Sequence, residues 1–120
     1  MHEIGIESSI LDDIRNERKT VEGRLGKPKF LKISKGDVIQ IREDVWKNGA
    51  IKLSMTSGVS IKVTQVLYFE TFSEMLEALN YKDVLPSALN IEDGIEIYRQ
   101  FYSEADEREY GVVAIIFEVV

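Results

Sequence analysis

The stretch VIQIREDVWKNGAIKLSMTSGVSIKVTQVLYF, residues 38–69, decides the fold. Val38-Ile39-Gln40-Ile41-Arg42 alternates apolar with polar residues, the period of a strand with one buried face. Ile51-Lys52-Leu53-Ser54-Met55 repeats the pattern, and Val59 to Val66 repeats it again and continues to Phe69. Lys47-Asn48-Gly49 and Ser57-Gly58 carry turn chemistry between these runs. Three strands joined by short loops predict an antiparallel meander or part of a barrel.

Upstream, Ser34-Lys35-Gly36-Asp37 turns the chain into the first of these strands. Gly26-Lys27-Pro28 must loop, because Pro28 lacks an amide proton and disfavours helix before it. Lys19 to Leu25 reads as a short extended segment. Ser8 or Ser9 offers a cap for a helix to about Asn16, with Ile10, Leu11 and Ile14 on its inner side. His2 lies beside what reads as a mobile terminus.

Downstream, Thr71-Phe72-Ser73-Glu74 is a capping box opening a helix to about Asn80. Asn90 to Asp93 offers a second start, after which Ile91, Ile95, Tyr98 and Tyr102 share a helix face. Glu104 to Glu109 reads as a solvated acidic link. Val112 to Val119 is apolar enough to be a central, buried strand. The class is α+β, with several antiparallel strands curled around a core and about three helices.

The 120 residues make one domain, 1–120, of ordinary globular composition. The absence of Cys excludes disulfides, thiolate nucleophiles and cysteine-bound zinc, and a single histidine excludes a multi-histidine metal centre within one chain. No cofactor or metal is expected. No apolar run approaches a membrane span and no secretory leader is visible, so the expectation is a cytoplasmic protein without a membrane partner.

Charge is unevenly placed. Arg15 to Lys35 holds eight basic residues against two acidic ones, a balance of +6, while the rest of the chain stands at −12. A local positive field offers a place for phosphates or carboxylates, and the acidic remainder resists indiscriminate coating of nucleic acid. Lys27, Lys29, Lys32 and Lys35 can track a phosphate backbone or form a solvated loop. The acidic Glu104 to Glu109 face is an alternative surface for a protein partner.

Within the basic segment, strand alternation puts Thr20, Glu22 and Arg24 on one face and Val21 and Leu25 on the other. Lys19 would stand at the mouth of that face. A carboxylate held among cations stays ionised and accepts from a nucleobase amine or orients a water. Arg24 can grip a phosphate or carboxylate with parallel hydrogen bonds. The plain alternative is a solvated charged face with a weak Glu22–Arg24 pair. Trp46 can stack on a base or pack against the sheet, while Tyr98, Tyr102, Phe101 and Tyr110 read as core.

RKTVEGRL, KISKGDVIQI, VTQVLYFETFSEML and VLPSALNIEDGIEIYRQFYSEADEREYGVVAIIFEV, in that order and spacing, resemble the ASCH family. The resemblance implies a PUA-like fold, a small antiparallel or mixed β-barrel with helices around it. It also implies an RNA or nucleotide-like ligand in a cleft bordered by the K-T-x-E-x-R segment, here Lys19, Thr20, Glu22 and Arg24. Lys27 and Lys29 would extend that footprint. Relatives that hydrolyse an acylated cytidine carry a nucleophilic threonine three residues after the lysine. That position is Glu22 here, which speaks against amidase chemistry. Lys19 and Glu22 remain candidates for an acid/base pair in a hydrolase of RNA or a modified nucleoside.

Overall fold

The computed structural model describes residues 2–120, with the backbone alone described at Lys52. Five strands alternate unevenly with six helices among these residues. They are β1 (His2–Glu7), α1 (Ser8–Arg15), β2 (Val21–Leu25), α2 (Pro28–Leu31), β3 (Val38–Lys47) and β4 (Ala50–Phe69). The chain continues through α3 (Phe72–Ala78), α4 (Tyr81–Val84), α5 (Ile91–Arg99), α6 (Glu104–Tyr110) and β5 (Val112–Val119).

The strands form one mixed sheet in the order β1-β3-β4-β5-β2. β1 runs parallel to β3, and the other pairs are antiparallel. A parallel neighbour needs a long crossover, which α1, β2 and α2 supply. The barrel expected from the sequence is not closed. β1 and β2 are the two edges of the sheet, and no ladder joins them among the described residues.

β5 explains why both faces are covered. Val113, Ile115 and Phe117 enter one apolar cluster with Ile39, Ile61 and Leu11, while Val112 and Ala114 enter another with Phe72, Met75 and Tyr98. A strand feeding two cores reads as a continuous apolar run rather than an alternating one. Helix α1 covers the first face, and α3 to α5 cover the second.

Four expectations need correction. Residues around His2 form β1 instead of a mobile terminus, because Ile4 and Ile6 are buried against the first cluster. The serine cap of α1 is not used: Glu7 is the N-cap and makes no side-chain cap bond. Ser57-Gly58 does not separate two strands. Gly58 adopts φ 79° inside a continuous β4, and the extra residues sit as a bulge opposite Ile41, whose carbonyl accepts from Ser57 Oγ at 2.6 Å. Glu104 to Glu109 is helical, capped by Ser103 and anchored by Glu107, whose buried carboxylate accepts from Phe72 N (2.9 Å) and Arg99 (3.2 Å).

Among the described residues six helices stand where about three were expected, because α2 and α4 are single turns too short to show a periodic apolar run and α6 reads as a charged link. The remaining cap and turn signals hold. Asn48 and Gly49, at φ 55° and 76°, make the left-handed two-residue turn between β3 and β4. Thr71 accepts from Glu74 N at 3.1 Å and Asn90 from Asp93 N at 2.8 Å. Their helices start where the caps place them.

Candidate functional site

Strand β2 is an edge with two different faces. Val21 and Leu25 enter the second core, and Glu22 and Arg24 lie on the opposite face, as alternation requires. That face borders a cavity of about 470 Å³ between the two edges of the sheet. Gly5, Ile6 and Glu7 line it from β1, Asp44 and Trp46 from β3, and Tyr98 and Phe101 from the α5 end.

Lys19, just before β2, is 2% exposed. Its Nζ donates to Val21 O at 2.6 Å and to Val84 O, and meets Glu22 Oε1 at 3.1 Å. An ammonium has three donors, and all three are engaged. Burial pushes the Lys19 ammonium below its ordinary pKa, with Glu22 opposing that shift.

Glu22 is held between two cations. Its Oε2 accepts from Arg24 Nε at 2.7 Å. Burial alone would raise its pKa, but Lys19 and Arg24 outweigh it and hold the carboxyl below the usual range. Arg24 reaches across the opening, where Nη2 donates to Gly5 O on β1 at 2.9 Å. A side chain bridges the sheet edges where a ladder is missing. The Arg24 guanidinium also lies 5.2 Å from the Phe30 ring centroid, and Lys29 lies 5.6 Å from the same ring.

Gly23 makes the close packing behind this face possible. A Cβ there would stand 2.6 Å from the Tyr98 hydroxyl and 2.7 Å from Met75 Cε. Tyr98 is stacked on Phe72 at 4.1 Å between ring centroids, and its burial lifts the phenol well above its ordinary pKa. On the other wall Asp44 is buried. It takes two bonds from Arg42 (2.7 and 2.9 Å) and one from Ser54 (2.7 Å). Those bonds, Arg42's first, hold its carboxyl below the usual range.

The structure thus brings Lys19, Glu22 and Arg24 together but leaves Thr20 outside the cavity. The Thr20 backbone instead joins the end of β2 to its neighbours, accepting from Phe117 N and donating to Asp83 O. Lys27 and Lys29 are exposed and do not line the cavity, and Lys27 lies 5.3 Å from the Tyr110 ring centroid. Tyr98 is core as expected, whereas Tyr110, also read as core, is 39% exposed.

Trp46 and Phe101 differ from the plain reading. They are 48% and 63% exposed and stand at the cavity. Phe101 had a readable signal, since it lies off the stripe that carries Ile91, Ile95, Tyr98 and Tyr102. Asp44 had none, because its burial depends on where β1 and β3 meet. Among the described residues no group of three or more His, Cys, Asp or Glu side chains could hold a metal ion. No described helix is long and apolar enough to cross a membrane.

An α+β domain with an open mixed sheet and a charged cleft at its seam is the class defined by these features. The chain belongs to the ASCH domain family, whose model matches residues 4–120. It is similar to the crystal structure of a hypothetical protein, PH0355, at TM-score 0.82 and 35% identity, covering 98% of this chain and 97% of that one. Protein PF0455 from Pyrococcus furiosus, solved by solution NMR, gives TM-score 0.76 and 35% identity over 99% and 96% of the two chains. A mutant of ZmASCH from Zymomonas mobilis shares the fold at TM-score 0.51 and 14% identity, over 97% of this chain and 67% of that one. No curated protein matches the chain.

Proposed function

We propose that this domain binds RNA or a nucleotide by taking a base into the cleft at the sheet seam. The observation that carries the reading is the convergence of Glu22 and Arg24 on a cavity rimmed by the exposed rings of Trp46 and Phe101. Glu22 offers carboxylate acceptors to exocyclic amines. Arg24 keeps N–H groups beyond those bonded to Glu22 and Gly5. The rings supply stacking surface. In this reading the sheet is PUA-like but open, and Arg24 spans the gap between its edges.

The charge inside argues for a base rather than a phosphate at depth. The lining sets Lys19 and Arg24 against the carboxylates of Glu7, Glu22 and Asp44, one negative charge in excess, which does not favour a phosphate. Phosphates belong outside, along Lys29 and Lys27. Lys29 shares the Phe30 ring with Arg24, so the basic loop adjoins the cleft.

A second reading, hydrolysis of RNA or a modified nucleoside, is favoured by one observation: burial lowers the pKa of Lys19 beside the ionised Glu22. The three engaged donors of Lys19 oppose it, because they fix the ammonium as a structural tie.

Trp46 is the sole tryptophan, so its fluorescence reports on the rim. Titration with nucleosides, nucleotides and short single-stranded RNA at two salt concentrations tests the proposal. Saturable quenching is expected from all three classes, weakened about tenfold or more in Arg24→Met by loss of charged hydrogen bonds. Each tenfold rise in salt should weaken RNA binding by roughly 0.7 log unit per phosphate contact and leave nucleoside binding unchanged. No saturable signal from any ligand would overturn the reading. Turnover that disappears in Glu22→Gln would replace it with the hydrolase.

A further inference from the structure

Tyr102 lies just beyond α5, where its backbone N donates to Tyr98 O at 2.9 Å, and its side chain lines the same cavity as Glu22 and Arg24. Two independent ties fix it there. The ring stacks on Phe72 at 5.4 Å and on Tyr98 at 6.4 Å between centroids, with interplanar angles of 13° and 24°. The Tyr102 carbonyl accepts from Arg99 Nη1 at 3.3 Å, and the same guanidinium meets Glu107, which accepts from Phe72 N. Ring and backbone are held by one network, so the ring's place does not depend on its hydroxyl.

That hydroxyl has no partner of its own. The Tyr81 hydroxyl donates to Leu89 O at 3.2 Å, but among the described residues no group bonds that of Tyr102. No buried side-chain polar atom among those residues lacks a partner, so the Tyr102 hydroxyl is open to the cavity. Burial raises its pKa, Arg24 opposes the shift and Glu22 adds to it; the group senses both members of the ion pair and stays a protonated donor at neutral pH. Tyr98, deeper, differs, because its hydroxyl sits against Gly23. A phenylalanine at 102 would complete the aromatic stack equally well.

We propose, resting on the base-binding reading of the cleft, that Tyr102 is a specificity-determining residue whose hydroxyl donates to an acceptor on the base, next to the amine that Glu22 accepts from. A carboxylate acceptor and a phenol donor in one cavity suit a base edge where an exocyclic amine adjoins an unprotonated ring nitrogen. Cytosine and adenine present that pair on their pairing edges. Uracil has no amine, and the guanine amine adjoins a protonated nitrogen on that edge.

The test follows the fluorescence of Trp46, the sole tryptophan, in the full chain. The probes are the four common nucleosides with 3-deazacytidine and 1-deazaadenosine, which keep the amine and lose the ring acceptor. In the wild type each deaza analogue should bind about three- to tenfold more weakly than its parent. Tyr102→Phe, whose ring keeps the stack, should lose the same factor for the parent and nothing further for the analogue. A tyrosine with only a structural role would not give that non-additivity, since damage to the fold weakens parent and analogue alike. The parent that binds more tightly names the base. Equal affinity for parent and analogue in the wild type overturns the inference and leaves base binding standing, as does an unchanged ratio in Tyr102→Phe. So does saturable binding confined to uridine and guanosine. A wild type that binds no nucleoside overturns both.

Discussion

Lys19→Met is the sharpest test of how the seam is held. Methionine reproduces most of the length and volume of the lysine stem and removes the ammonium. Val21 O and Val84 O then lose a buried donor, and Glu22 keeps Arg24 as its one cation. An unsatisfied buried acceptor costs about 1–3 kcal/mol, and breaking a buried ion pair from one side costs about 3–5 kcal/mol. These overlap, and the surviving Arg24 contact lessens the second, so the expected loss is about 3–5 kcal/mol in total. For 120 residues the unfolding entropy is roughly 250 cal/mol/K, so each kcal/mol shifts Tm by about 4 °C. The expected drop is therefore about 12–20 °C by calorimetry. A shift below about 4 °C would refute the reasoning, because it would mean that the ammonium is not the tie between α4 and β2. The variant also separates structure from recognition. If Lys19 only positions Glu22, Lys19→Gln should recover part of the stability by donating to a carbonyl.

Two further outcomes follow from the same geometry. Gly23→Ala forces a Cβ within 2.6 Å of the Tyr98 hydroxyl and 2.7 Å of Met75 Cε; a loss of about 1–3 kcal/mol is expected by urea denaturation, and an unchanged midpoint would contradict the packing described. Glu22 and Asp44 have lowered folded pKa values, so the folded state binds fewer protons than the unfolded chain in acid. Their contribution is complete above the unfolded carboxylate pKa of about 4 and is lost as pH falls through the lowered folded values. Urea midpoints should fall steeply in that window, and Glu22→Gln should flatten the slope; parallel slopes for the two proteins would contradict it.

Local signals were legible in the sequence, and long-range ones were not. The caps at Thr71 and Asn90 and the turn at Asn48-Gly49 depend on neighbours within four residues, so residue identity suffices. β5 was legible because a strand covered on both faces has a run that few other elements share. The facing of Glu22 and Arg24 followed from alternation alone. By contrast, Ser57-Gly58 has the same composition whether it turns or bulges, and only the pairing of β4 with β3 decides. β1 escaped because Ile4 and Ile6 are a short pattern whose value lies in a parallel partner more than thirty positions away. The resemblance implied a cleft bordered by Lys19, Glu22 and Arg24, but its far wall was not legible, since Asp44 and Trp46 meet β2 only through sheet order.

Burying an ion network is a poor way to hold two strands. Well-packed apolar residues of similar volume usually stabilise as much or more, because desolvating charges cancels most of their attraction. The neighbouring faces of this protein show that apolar closure was available, since Val21, Leu25, Ile4 and Ile6 pack normally on either side of the gap. A ladder between β1 and β2 would also have satisfied their backbones without charge. Instead the chain places a lysine that is fully engaged, a carboxylate kept ionised by two cations, and an arginine spanning to Gly5 O. This arrangement holds the edges at a fixed separation while leaving a cavity between them. It also keeps unused guanidinium donors and carboxylate lone pairs directed at that cavity. Stability alone does not require such a seam, and in the proposed reading those donors and lone pairs are where a ligand replaces water.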